Sequence, residues 1–199
     1  PIKMNSYSGR VTFNPTANWS FTAGYGAILH PEPSDPDALI HRLVLSAMTG
    51  RRLGTSGQWA TTFVYGGNKE DSWSSSALVE SQAVLDARNT VFARAELVQK
   101  SAEDLTLAVL PPDRRFNVGA TALGYIREFA HSRSATWGIG ASGTLNVMPS
   151  AVATTYGGRT KLGATVFVRL RACGNLCAPG QHDMDGMEGH NAPALKEDP

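Results

Sequence analysis

The chain has little of what builds either a disulfide scaffold or a helical membrane protein. Only two cysteines occur among its 199 residues, Cys173 and Cys177, and both lie beyond the patterned region. A disulfide framework is therefore excluded as the organiser of the fold. No apolar run approaches the roughly 18 residues of a spanning helix, which excludes an inner-membrane helical protein. Charged residues are 18% of the chain and sum to a formal +1, so bulk electrostatics imply no nucleic-acid partner. The 3.6-residue apolar period of an amphipathic helix is almost missing. None of these absences weighs against a β-barrel, whose strands need only about 9 to 11 alternating residues each.

What is present is a period of two. In residues 136–146, Trp137, Ile139, Ala141, Gly143 and Leu145 share one face, and Thr136, Gly138, Gly140, Ser142, Thr144 and Asn146 the other. Residues 161–171 repeat the pattern, with Leu162, Ala164, Val166, Val168 and Leu170 opposite Gly163, Thr165, Arg169 and Arg171, the last group joined by Phe167. Residues 7–14 set Tyr7, Val11 and Phe13 against Arg10 and Thr12, and residues 19–27 set Trp19, Phe21 and Tyr25 against Ser20, Thr22 and two glycines. Residues 39–48 alternate least regularly, with Leu43, Leu45 and Ala47 opposite Arg42, Val44 and Ser46. The pattern resumes in 59–68 (Trp59, Phe63, Tyr65), 76–86 (Ala77, Val79, Ala83) and 91–100 (Val91, Ala93, Ala95, Leu97). In residues 115–130 it places Phe116, Val118, Ala120, Ala122 and Ile126 on the apolar face and Asn117, Thr121, Tyr125 and Arg127 on the polar one. Nine strands result.

Abundant Gly, alternating Ser and Thr, and aromatic residues near strand ends lean towards an all-β, antiparallel transmembrane β-barrel over residues 1–171, followed by an irregular tail over 172–199. The connections run short, long, medium, long, short, long, short, long. Outer-membrane barrels keep short turns in the periplasm and long loops outside, which orients the chain with its C-terminal tail in the periplasm. Two aromatic belts emerge from the same parity: Phe13, Trp19, Trp59 and Trp137 at the short-turn end, and Tyr7, Tyr25, Tyr65 and Phe116 at the other. An odd strand count puts the N-terminus outside the cell, so at least one further strand is expected upstream and the chain reads as the C-terminal part of a larger barrel. Any signal peptide is expected to have been removed or to lie upstream.

The segments Asn14-Pro15-Thr16-Ala17-Asn18-Trp19-Ser20 and Tyr25-Gly26, the pair His41-Arg42, and the ending Val166-Phe167-Val168-Arg169-Leu170-Arg171 resemble a poorly characterised, porin-like group of bacterial outer-membrane β-barrel proteins. The resemblance covers most of residues 7–171 through strand patterning. It implies an outer-membrane location and a transport or envelope role, and supplies no catalytic residue. The terminal aromatic residue of the usual barrel ending is replaced here by the tail.

By parity, Arg10, Arg42, Glu80, Gln82, Arg94, Glu96, Lys100, Arg127, Arg169 and Arg171 face the lumen. In a water-filled pore their excess of cations favours anionic solutes; in a closed barrel they are cross-strand ladders that conduct nothing. The tail carries Cys173, Cys177, His182, Met184, Met187 and His190, soft ligands that suit copper as Cu(I) or zinc, although the two cysteines can instead pair in an oxidising compartment. His30, His41 and His131 are scattered and no Ser sits in a Gly-rich nucleophile motif, so no enzyme is expected. The expected partners are outer-membrane lipid and envelope proteins or further copies of the chain. The alternative is a soluble β-barrel that turns its apolar faces inward and binds a small apolar ligand.

Overall fold

The computed structural model describes residues 6–29, 39–70, 72–107, 110–111, 113–131 and 135–172. Nine strands follow in order: β1 (Ser6–Thr16), β2 (Trp19–Leu29), β3 (Leu39–Leu53), β4 (Gly57–Lys69), β5 (Trp73–Val84), β6 (Asn89–Ser101), β7 (Arg115–His131), β8 (Ala135–Val147) and β9 (Thr160–Ala172). A four-residue helix, α1 (Ser150–Ala153), lies between the last two strands. Each strand pairs antiparallel with its sequence neighbours in one nine-stranded meander. Alternating Val, Ile, Leu, Thr and aromatic residues fit this pleated surface, and tight turns between neighbours leave no need for a crossover.

The register slips twice. One shift falls between Phe13 and Thr16, where Pro15 lacks the N–H a regular ladder needs and is tolerated because β1 is an edge strand. The other falls between Glu128 and Ala130. Among the described residues β1 has only β2 as a neighbour and β9 only β8, so the sheet is open. The described residues thus form an all-β antiparallel sheet that is not closed into a barrel, where the sequence leads one to expect the C-terminal part of a larger barrel.

Directly paired residues of an antiparallel ladder share a face, so the registers sort every strand position. One face carries Tyr7, Val11 and Phe13 of β1, Trp19, Phe21 and Tyr25 of β2, Leu43 and Leu45 of β3, and Phe63 and Tyr65 of β4. It continues through Val79, Val91, Leu97, Leu123, Ile139 and Leu145 to Leu162, Val166, Val168 and Leu170 on β9. The apolar face is the exposed one: Trp137 and Ile139 are open while the intervening Thr136, Gly138 and Gly140 are buried. A sheet coiled towards its small, polar face crowds that face and splays the other, which accounts for the order.

β7 corrects the sequence reading. Tyr125 pairs with Val91 and Ala141, and Arg127 with Asn89 and Ile139, so both stand on the apolar face. Phe116, Val118, Ala120, Ala122 and Ile126 stand on the polar one. Arg127 thus leaves the lumen-facing set, and Phe116 leaves the aromatic belt. The cause is local: β7 is apolar on both faces, so alternation alone cannot choose between them. The β4–β5 connection, expected to be long, shortens to residues 70–72 because both flanking strands extend further than their alternation suggested.

Candidate functional site

The polar face gathers most of the chain's strand-borne charge into separate patches. In the centre, Glu80 of β5 pairs directly with Arg94 of β6, whose guanidinium lies 3.7 Å from the Glu80 carboxylate and 2.8 Å from Glu96 on its own strand. Gln82 stands one rung away, opposite Phe92. Towards β1, Arg42 donates from Nε to Asn68 at 3.0 Å, and Arg10 lies opposite Gly24 with no carboxylate partner among the described residues. On the β9 side, Arg171 reaches Glu128 at 3.1 Å, and Arg169 lies opposite Gly138. Lys100 pairs with Phe116 at the end carrying the longer connections. Nine of the ten expected lumen-facing residues thus share a face, eight of them in three patches and Lys100 apart from these.

Geometry decides how much these ions hold the sheet together. The side chains of Arg94 and Glu80 are 49% and 57% exposed, so their pairing contributes on the order of 0–1 kcal/mol. Glu128 differs, because its side chain is only 7% exposed and its bond to Arg171 spans two strands. Sequence parity missed Glu128 by misphasing β7, and it also passed over Arg52 and Lys161, which register places on the polar face opposite Gln58 and Asn146. The net sign of the face is positive.

Two phenylalanines fill the part of this face that has no side chains of its own. The Phe92 ring of β6 lies over Gly124 of β7, and the Phe167 ring of β9 lies over Gly140 of β8, so a methyl group at either glycine would fall within the ring. The two rings meet 6.4 Å apart at a tilt of 52°. Rings from two non-adjacent strands thereby cover the glycine tracks of the strands between them, an aromatic rescue of flexible backbone.

The end with the longer connections carries a cap. Ala102 and Leu107 of the β6–β7 connection, Phe116 of β7, and Met148 and Val152 of the β8–β9 connection form one buried cluster. Leu107 N–H donates to the Ala102 carbonyl, Met148 N–H to Arg159, and the Tyr156 hydroxyl to the Leu105 carbonyl, which ties the two connections together. Thr106 adopts a positive φ of 53° to close the first of them.

The opposite, apolar face is free of charge across its middle. His41, Lys69 and Arg115 stand at the rim with the longer connections, and Arg51 and Arg127 at the tight-turn rim. The rims also hold aromatic residues: Tyr7, Tyr25, Tyr65 and Trp73 at the first, and Phe13, Trp19, Trp59, Tyr125 and Trp137 at the second. Trp73 and Tyr125 take places the sequence reading had not assigned. Trp73 covers Gly67, and its indole N–H donates to the Tyr65 hydroxyl at 3.3 Å.

Among the described residues no group of three or more His, Cys, Asp or Glu could hold a metal ion. The tail ligands Cys173, Cys177, His182, Met184, Met187 and His190 lie outside the described residues, as does His30. His41 stacks on Tyr25 and shares a 2.6 Å hydrogen bond with its hydroxyl. The chain matches no protein-family model, no curated protein and no solved structure.

Proposed function

We propose that this chain forms the wall of a bacterial outer-membrane β-barrel that works as a pore, or as the membrane-spanning component of an envelope complex, with its tail in the periplasm. One observation carries the reading. A face that crosses nine strands exposes Val11, Phe63, Leu123, Leu162 and Val168 to the surroundings, and its charged residues occur only near strand ends. In water such a face would be an aggregation surface far larger than soluble monomers tolerate. Against hydrocarbon it is the stable arrangement, with aromatic rings at the two polar boundaries.

Dimensions support the same reading. Tyr7 to Phe13, Trp19 to Tyr25 and Trp59 to Tyr65 are each six positions apart, about 20 Å along a strand. That is on the order of the apolar band of a transmembrane barrel. The strands, of 11 to 17 residues, are long enough to cross it. The polar face then lines the interior, where eight Arg and Lys residues outweigh three carboxylates among the described residues and favour anionic solutes. No catalytic residue and no resident cofactor enter this function; copper or zinc handling by the tail is a separate proposal, tested by calorimetric titration of the full chain with either metal.

Conductance across a planar bilayer tests the pore. Stepwise currents with anion preference are expected. A silent bilayer with the chain inserted assigns the structural role instead, and a chain that stays monomeric without detergent removes both.

A further inference from the structure

Charge on the apolar face is not only confined to the rims; it is of one sign. Lys69, Arg115, Arg51 and Arg127 occupy strand positions of this face, and no carboxylate among the described residues does. The acidic side chains stay elsewhere: Glu80, Glu96 and Glu128 on the polar face, and Glu70, Asp86, Glu103, Asp104 and Asp113 in connections. A soluble surface has no reason to sort its charges this way. A face that meets phosphate groups at both of its edges does.

Among the described residues the cations are held mainly by neutral groups of the rim, and Arg127 alone also lies within electrostatic reach of a carboxylate, that of Asp86. Lys69 pairs across the ladder with His41 on one side and Trp73 on the other. Arg51 lies 5.3 Å from the centroid of the Trp59 ring, a cation–π contact that directs the guanidinium along the face without neutralising it. Arg127 donates to the Asn89 amide oxygen at 3.0 Å, and Arg115 to the Ser72 hydroxyl, both neutral acceptors. Lys69, Arg51 and Arg115 have no carboxylate partner among the described residues and so remain available to an anion, beside aromatic rings of the kind that settle at the headgroup level.

We infer that the two rims bind phosphate-bearing anionic lipid headgroups, one row in each leaflet. The inference rests on the membrane reading above and adds to it the class of lipid. Near a membrane surface each Lys or Arg is worth roughly a five-fold gain in partitioning towards anionic lipid. A guanidinium can take two phosphate oxygens at once, which makes Arg51, Arg115 and Arg127 the more selective positions.

The test partitions the full chain between buffer and vesicles of phosphatidylcholine alone or of phosphatidylcholine mixed with phosphatidylglycerol. Binding to both with a preference for the mixed vesicles is expected, and about 1 M salt should abolish the preference. Lys69→Ala and Arg51→Ala should each cut the preference several-fold without changing partitioning into phosphatidylcholine, and Lys69→Arg should restore it. Equal partitioning into both vesicles, or a preference that survives the salt and the substitutions, overturns the inference and leaves the membrane reading standing. No partitioning into either vesicle overturns both. The salt series uses the unsubstituted chain, so it decides the matter even if a variant fails to fold.

Discussion

Gly124 and Gly140 matter for what stands above them. Because the Phe92 and Phe167 rings occupy the space a side chain would need and also meet each other, a larger residue at either glycine has to displace a ring. Gly124→Val and Gly140→Val should each destabilise the sheet by about 1–3 kcal/mol through overpacking, measured as a lower urea midpoint in detergent. Asp86 works in the opposite way, by hydrogen bonding. The Asn89 side chain and the Arg88 N–H bond its carboxylate and hold its pKa below the ordinary 3.8. With the folded value depressed, the turn's contribution is complete above the unfolded pKa and is lost as pH falls through the folded one. Protection of the Arg88 and Asn89 amides, taken relative to their unprotected exchange rate at each pH, should therefore fall below about pH 4, and Asp86→Ala should flatten that dependence. Residue-level roles were legible where chemistry was unambiguous, as for Arg94 beside Glu80. They were not legible at Glu128 or Arg127, because β7 offers Phe116, Val118 and Ile126 in one phase and Leu123, Tyr125 and Phe129 in the other. Only its pairing with β6 and β8 chooses between them.

The elements themselves were more readable. All nine strands could be placed from alternation, since a half-buried strand must repeat every two residues whatever surrounds it. Their ends were less so. β3 runs on through Thr49, Gly50 and Arg51 to Leu53, a stretch whose Gly and Arg resemble loop, because its partner β4 supplies the pairing that the local sequence does not advertise. The cap at the other end had no sequence signature at all: its residues are distant in the chain and converge only when β6, β7 and β8 bring both connections to one rim. Leu107 is its anchor from the β6–β7 side and is 5% exposed. Leu107→Ala should loosen the cap by about 2–5 kcal/mol. The measurement is hydrogen exchange, with faster exchange expected at Leu107 and Val152 and unchanged protection in the middle of β7 and β8. Uniform loss across the sheet would show that the cap is part of the core.

At the scale of the whole molecule, the governing fact is that two faces of one open sheet have opposite chemistry. Closure could not be read from the sequence, because alternation reports which side of a strand is apolar and nothing about whether the first and last strands meet. The exposed edges β1 and β9 leave Val11 72% and Leu162 83% accessible on a face that is apolar across its middle. All four tryptophans, Trp19, Trp59, Trp73 and Trp137, stand on that face. They report directly on what touches it. The decisive measurement is the tryptophan fluorescence of the chain reconstituted into vesicles whose lipids carry bromine on their acyl chains. If the apolar face meets hydrocarbon, brominated lipid quenches the bulk of the emission and aqueous iodide quenches little. Emission that ignores the bromine and yields to iodide would mean that this face meets water, and the membrane account would be wrong.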